Sequence, residues 1–293
     1  MALTEKPRVW LITGASSGLG LELAKVAVSH GDLVIAASRN PDKVKELAGK
    51  KGVQVARLDH NEPLDQIQSA VRNIIAIHGT IDVVVNNAAY VQTGTVEETS
   101  PEETLRQFQA NLFGPANLYR AVLPYLRAKG HGTLVTVGSM AAWYPMESCN
   151  MYNASKAAVR SMMLGLADEV AAFGIKHCLV EPGFFRTGLL KPGGNFAGTA
   201  PAHRLDEYAE LNASAEKAFE GFHGNQLGNP IKGAEVIYDV VTSSGCAAGR
   251  SLPTFLPVGS DASTEIIKAA YELINGVEEW RSISVLSDFV KNE

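Results

Sequence analysis

The stretch RVWLITGASSGLGLELAKVAVSHG, residues 8–31, decides how the rest of the chain is read. Within its first six residues, Val9 to Ile12 form a short apolar run without alternation, the pattern of a strand covered on both faces. Three glycines follow at Gly14, Gly18 and Gly20, and then a helix-favouring segment. A glycine-rich turn between strand and helix lets the backbone approach a pyrophosphate, whose charge then rests on the positive N-terminal end of the helix. The spacing is G-x-x-x-G-x-G, with Ser16, Ser17 and Leu19 among the four residues between and candidates for the same cofactor loop.

Outward from this unit the alternation repeats. DLVIAAS (32–38), VQVARLD (53–59), IDVVVNN (81–87), GTLVTVGS (132–139) and KHCLVEPG (176–183) read as further buried strands, and GRSLPTFLPVG (249–259) holds a last one. Helical stretches lie between them, one of them expected over PDKVKELAGKKG (41–52). Strand–helix alternation with unalternating strands specifies an α/β protein with a doubly wound parallel sheet, the Rossmann fold, as a single domain over 1–293. Its ligands bind at the carboxyl ends of the strands. Residues 184–230 interrupt the rhythm with Gly/Pro segments directly after such an end, which reads as a substrate-binding loop or lid. Residues 261–293 form an amphipathic tail, expected either to pack on the subunit or to cover the pocket.

Composition narrows the function. The 293 residues are 46% hydrophobic and 19% charged, with a net charge of −5 and scattered basic residues, so no nucleic-acid surface is expected. No apolar run reaches membrane-spanning length, and no signal peptide is seen. Cys149, Cys178 and Cys246 lie far apart, which suits a reducing compartment and three small apolar residues rather than nucleophiles. His203 and Glu207 stand four apart but read as a solvated pair, and no metal is expected. These features describe a soluble, cytoplasmic protein.

The end of the second strand speaks to the cofactor. An NAD site places a carboxylate there, whereas this chain has Ser38, Arg39 and Asn40. A guanidinium beside a small hydroxyl suits a 2′-phosphate, which favours NADP(H). Asp32 lies at the wrong end of that strand to substitute. Asp59 reads either as an acceptor for the adenine amino group or as a helix cap. In NNAAY, Asn86 and Asn87 are turn formers or ligands, while the small Ala88 and Ala89 let a flat ligand lie against backbone.

Tyr152 and Lys156, four apart in NMYNASKAAV (150–159), share one face of a helix. Alone this is a surface helix with a snorkelling lysine. Ser139 upstream, and Asn111 in an otherwise apolar helix where a buried amide needs partners, change the reading. With TGASSGLG, NNAA, Asn111, Ser139, YNASK and EPGFFRT in order, the chain resembles the short-chain dehydrogenase/reductase family over about residues 7–260. VIAASRNPDKV, EPGFFRTGLL and EEWRSISVLSDF are similar to the 17β-hydroxysteroid dehydrogenase-like and retinol dehydrogenase-like branch.

The resemblance implies a catalytic set of Asn111, Ser139, Tyr152 and Lys156. Tyr152 acts as general acid/base and Lys156 bonds the nicotinamide ribose while lowering the tyrosine pKa. Ser139 holds the substrate oxygen, and Asn111 holds a relay water. Pro182, Gly183, Phe185 and Thr187 are implied at the nicotinamide end. Two departures stand out: Ala89 where the family usually has glycine, and no acid after the second strand. Tyr90, Met140, Trp143, Tyr144, Met146, Phe184, Leu189 and Leu190 are expected to line a pocket for an apolar or aromatic carbonyl or alcohol substrate, although such aromatics also pack cores and interfaces. The expected reaction is NADPH-dependent ketone or aldehyde reduction. The rivals are a non-redox dehydratase, epimerase or cyclase on the same fold, and an NADP(H)-sensing binding protein. A homodimer or homotetramer is implied by the family alone.

Overall fold

The computed structural model describes residues 6–189 and 195–289. Every apolar run becomes a strand. The strands are β1 (Val9–Thr13), β2 (Leu33–Ser38), β3 (Val53–Arg57), β4 (Val83–Asn86), β5 (Val91–Thr93), β6 (Gly132–Val137), β7 (Ile175–Pro182), β8 (Phe196–Gly198) and β9 (Phe255–Val258). Seven of them form one parallel sheet in the order β3-β2-β1-β4-β6-β7-β9. The order reverses between β1 and β4, which opens a crevice at their carboxyl ends.

Burial explains the unalternating sequence. Trp10 and Ile12 of β1 point to one face, where α1 (Gly18–Ser29) and α7 (Pro230–Thr242) cover them. Leu11 points to the other, under α2 (Leu64–His78), α4 (Gly114–Lys129) and α5 (Asn150–Ala171). The remaining helices are α3 (Pro101–Phe108), α6 (Ala209–Phe222) and α8 (Ser260–Ser284). Among the described residues no helix is long and apolar enough to cross a membrane, and no cluster of three potential metal ligands occurs.

Three expectations need correction. The helix over 41–52 is only a 3-10 turn at Pro41–Lys43 followed by turns. Gly49 (φ 76°) and Gly52 (φ 85°) take left-handed conformations that end any helix, and burial of Val44 and Leu47 anchors the crossover instead. His203 and Glu207 fall in two separate 3-10 turns rather than one helix, and His203 lies 3.8 Å from Glu103. Cys246 is exposed, while Cys149 and Cys178 are buried as expected. A two-stranded sheet was not foreseen: β5 pairs parallel with β8 and ties the loop after β4 to the segment after β7.

Candidate active site

The glycine loop is built against the β4 loop. Gly14 has φ 64°, and a Cβ there would come within 2.9 Å of Ala88 Cα. A Cβ on Gly20 would collide with the Asn87 amide, so Gly20 is needed for packing beneath the loop rather than at its open surface. Asn87 donates to the Thr13 carbonyl at 2.9 Å, and the Thr13 hydroxyl accepts from the backbone N–H groups of Asn87 and Ala88. Asn87 is therefore more than a turn former. Ser17 stands at the N-cap of α1 without a side-chain capping bond, and the first turn holds no acid. The leading amides of α1 thus face an open cradle whose dipole favours an anion. This arrangement fits the pyrophosphate of a nicotinamide dinucleotide.

Beyond the cradle, α5 presents Tyr152 and Lys156 on its buried face; they are 7% and 3% exposed. Burial pushes the Tyr152 phenol up to about 12, against a lowering hydrogen bond from Ser139. Burial pushes Lys156 down to about 8, against the pull of the Glu181 carboxylate. The expected lowering of Tyr152 by Lys156 is therefore not found. The Lys156 ammonium sits 5.9 Å from the Tyr152 ring centroid and donates to the Val137 carbonyl at 3.0 Å, so it is directed along the cleft rather than at the phenol.

Asn111 has the partners its burial requires. It lies in a π-helical turn, Gln109–Phe113, between α3 and α4. Its amide accepts from Tyr90 N–H at 2.9 Å, donates to the Tyr90 carbonyl at 2.9 Å and donates to Ser155 Oγ at 3.1 Å. The side chain is thus committed to fixing the β4 loop against α5.

A cleft of about 590 Å³ joins these parts. It is lined by Gly14, Ser16, Ser17, Gly18, Leu19, Ser38, Arg39, Asn87, Ala88 and Ala89 at the cofactor end. Ser139, Met140, Met146, Tyr152, Lys156, Pro182, Gly183, Phe184, Phe185, Thr187 and Leu189 line it further along. Several candidates lie elsewhere. Asn40 accepts from Asp42 N–H to cap the 3-10 turn, and Asp59 accepts from the backbone and side chain of Asn61. The Tyr90 hydroxyl donates to Gln92. Trp143 and Tyr144 pack with Ala262 and Ile266 of α8 and are not among the residues that line the cleft. Leu190 lies outside the described residues.

The cleft also holds residues the sequence did not single out. Lys43 and Lys45 join Arg39 from the loop after β2. They were hidden by the helix expected there, and their positive charge was the available signal. Val91, Asn195, Phe219 and Gln226 enter through the β5–β8 pairing and α6, which only long-range contacts could place. Cys149 is also in the wall, with its thiol pushed up to about 12 by burial, which leaves it unreactive. Behind Tyr152 and Lys156, Glu181 is fully buried; it accepts from Trp143 Nε1 at 2.5 Å and lies 3.7 Å from Arg160.

Comparison with known proteins gives the family. Residues 8–195 match the family model for short chain dehydrogenases. The chain belongs to the short-chain dehydrogenase family. A fungal relative, oxidoreductase BOA17 of Botryotinia fuckeliana, is 34% identical over 96% of this chain and 99% of its own. The 3-ketodihydrosphingosine reductase of Bacteroides thetaiotaomicron is 38% identical over 62% of this chain and 66% of its own. A short-chain dehydrogenase from Streptomyces avermitilis superposes with a TM-score of 0.84 at 33% identity, covering 97% of this chain and 100% of that one. The protein is thus an oxidoreductase of this family, in a fold whose solved neighbours include complexes with NADH and NAD.

Proposed function

We propose that this dehydrogenase uses NADPH to reduce a ketone or aldehyde carried on an apolar or aromatic skeleton. The observation that carries the cofactor preference is the triad of cations Arg39, Lys43 and Lys45 in the cleft beside Ser38, with no carboxylate among the cleft-lining residues of that loop. Arg39 would hold a 2′-phosphate through two charge-assisted bonds, and the lysines would add point charges.

When bound, the reduced nicotinamide supplies the hydride to the substrate carbon. Tyr152 remains a neutral phenol through the physiological range, so it is poised to give its proton to the carbonyl oxygen as that carbon is reduced. Ser139 donates to the same oxygen and stabilises the charge that develops there. Lys156 would hold the ribose and would keep a positive charge near the resulting tyrosinate. Because the Asn111 side chain is committed, a relay water would be held by a backbone carbonyl of its π-helical turn.

Substrate chemistry follows from the wall: Val91, Met140, Met146, Phe184, Leu189 and Phe219 are apolar. The described residues of 184–230 act as a lid, with Phe184, Phe219 and Gln226 lining the cleft from it. Sterol-like, retinoid-like and secondary-metabolite ketones all meet this description, and the name of the Bacteroides relative supports ketone reduction.

The test is fluorescence titration of NADPH and NADH on wild type and Arg39→Ala. NADPH is expected to bind at least tenfold tighter than NADH, with the difference collapsing in the variant. Equal affinities in the wild type would overturn the cofactor assignment.

A further inference from the structure

Helix α8 begins against the subunit and then leaves it. Ala262, Ile266 and Ala269 are buried, the first two in a cluster with Met140, Trp143, Tyr144, Phe184 and Phe255. Their spacing of four and then three continues without a break through Leu273, Gly276, Trp280 and Ile283. That is one heptad seam, the pattern with which a helix packs along another helix. Its inner half is satisfied by the subunit. Its outer half is not: Leu273, Trp280 and Ile283 are 64%, 60% and 57% exposed. Every large apolar side chain from Tyr271 to Phe289 is at least half exposed. Together they open on the order of 1,000 Å² of apolar surface, beyond the largest patch of an ordinary monomer and near the ~800 Å² each partner gives to a stable interface.

The seam itself says what covers it. A membrane surface is disfavoured, because Glu272, Glu278, Glu279 and Asp288 outweigh Lys268 and Arg281, whereas interfacial helices carry cations on the polar face. The outer seam matches its own reverse. Laid antiparallel about a two-fold axis, Leu273 meets Ile283 of the second copy and Trp280 meets its Gly276. Nothing of the subunit lies within 4 Å of where a Gly276 Cβ would stand, so the notch is open to an indole. Such an isologous contact closes at two copies.

We propose that the outer half of α8 pairs antiparallel with the same segment of a second copy, making a dimer arm. The full chain at tens of micromolar is then at least a dimer in sedimentation. Trp280→Glu halves the mass, and Gly276→Leu, which fills the notch without adding charge and favours helix, weakens self-association at least tenfold. Both variants keep the cooperative unfolding of a folded subunit, since neither side chain touches its core. Leu273→Cys with Ile283→Cys, in a Cys246→Ser background, gives a covalent dimer on oxidation. A wild-type monomer, a mass unchanged by Trp280→Glu, or a dimer that refuses this cross-link would each overturn the proposal. None of these readouts depends on the oxidoreductase chemistry.

Discussion

At the scale of residues, the proposed catalytic face is a contest between burial and charge. Burial keeps the Tyr152 proton on to about 12, while Lys156 loses its proton near 8. The lysine is therefore the group that changes state first as pH rises. Carbonyl reduction is expected to fall above about pH 8 as the positive charge beside the developing tyrosinate disappears. Glu181 opposes that loss, because its carboxylate favours the charged lysine. Glu181→Gln removes a buried negative charge, which makes deprotonation easier for Lys156 and Tyr152 alike, so both effects move the alkaline limb to lower pH. The pH profile of kcat for a reduced ketone measures this, and an unmoved limb would show that Glu181 serves only to hold Trp143 and Arg160. Tyr152→Phe keeps the ring and its packing but has no proton to give. It is expected to lower kcat at least a hundredfold while leaving the dissociation constant for NADPH within about threefold, which stopped-flow and fluorescence titration would separate.

At the scale of elements, the segment we propose as the lid is latched by a buried carboxylate. Glu98, 1% exposed, accepts from Leu205 N–H, from the Asn212 amide and from Thr95. Burial pushes its pKa up, yet these bonds outweigh it and hold the group at about 2. A carboxylate depressed in the folded state stabilises it fully above its ordinary value of 4.5 and loses that contribution as pH falls toward 2. Glu98→Gln is expected to cost about 1–3 kcal/mol at pH 7, and the gap to wild type should close below pH 4 in denaturant titrations. None of this latch was legible beforehand, since it joins residues more than a hundred positions apart. The central strands were legible, because a run such as VVV in β4 has no other use than burial on both faces. The helix expected over 41–52 was a misreading of spacing that Gly49 and Gly52 override, and it concealed Lys43 and Lys45. Trp143 and Tyr144 were assigned to the pocket because no sequence pattern tells which way a 3-10 turn throws its side chains. The strands β5 and β8 are three residues each, too short to leave a period.

At the scale of the whole molecule, stability and chemistry occupy opposite edges of one sheet. The carboxyl edge carries the glycine cradle, Arg39 and the catalytic face. The other edge is closed by Asp32, which stands just before β2 and is nearly buried. Its carboxylate accepts from the Arg8 backbone N–H at 2.9 Å, from Trp10 Nε1 at 2.9 Å and from the Tyr238 hydroxyl at 3.0 Å. One side chain thus ties β1, β2 and α7 together beneath the stacked rings of Trp10 and Tyr238. Asp32→Asn keeps the shape but replaces one acceptor oxygen by an NH2 group. The donors that share Oδ2, or the one on Oδ1, then face another donor and lose their partner. A buried donor left without an acceptor costs about 1–3 kcal/mol, which is a large share of the 5–15 kcal/mol that holds a typical domain together. Urea unfolding of Asp32→Asn is expected to show a lower midpoint with an unchanged slope, because the same surface is exposed on unfolding. NADPH affinity measured on the same preparation should stay within twofold of wild type, since the proposed cofactor cleft lies a full strand length away. A parallel loss of affinity would mean that the far edge of the sheet sets the geometry of the cradle, and that the two edges are not independent.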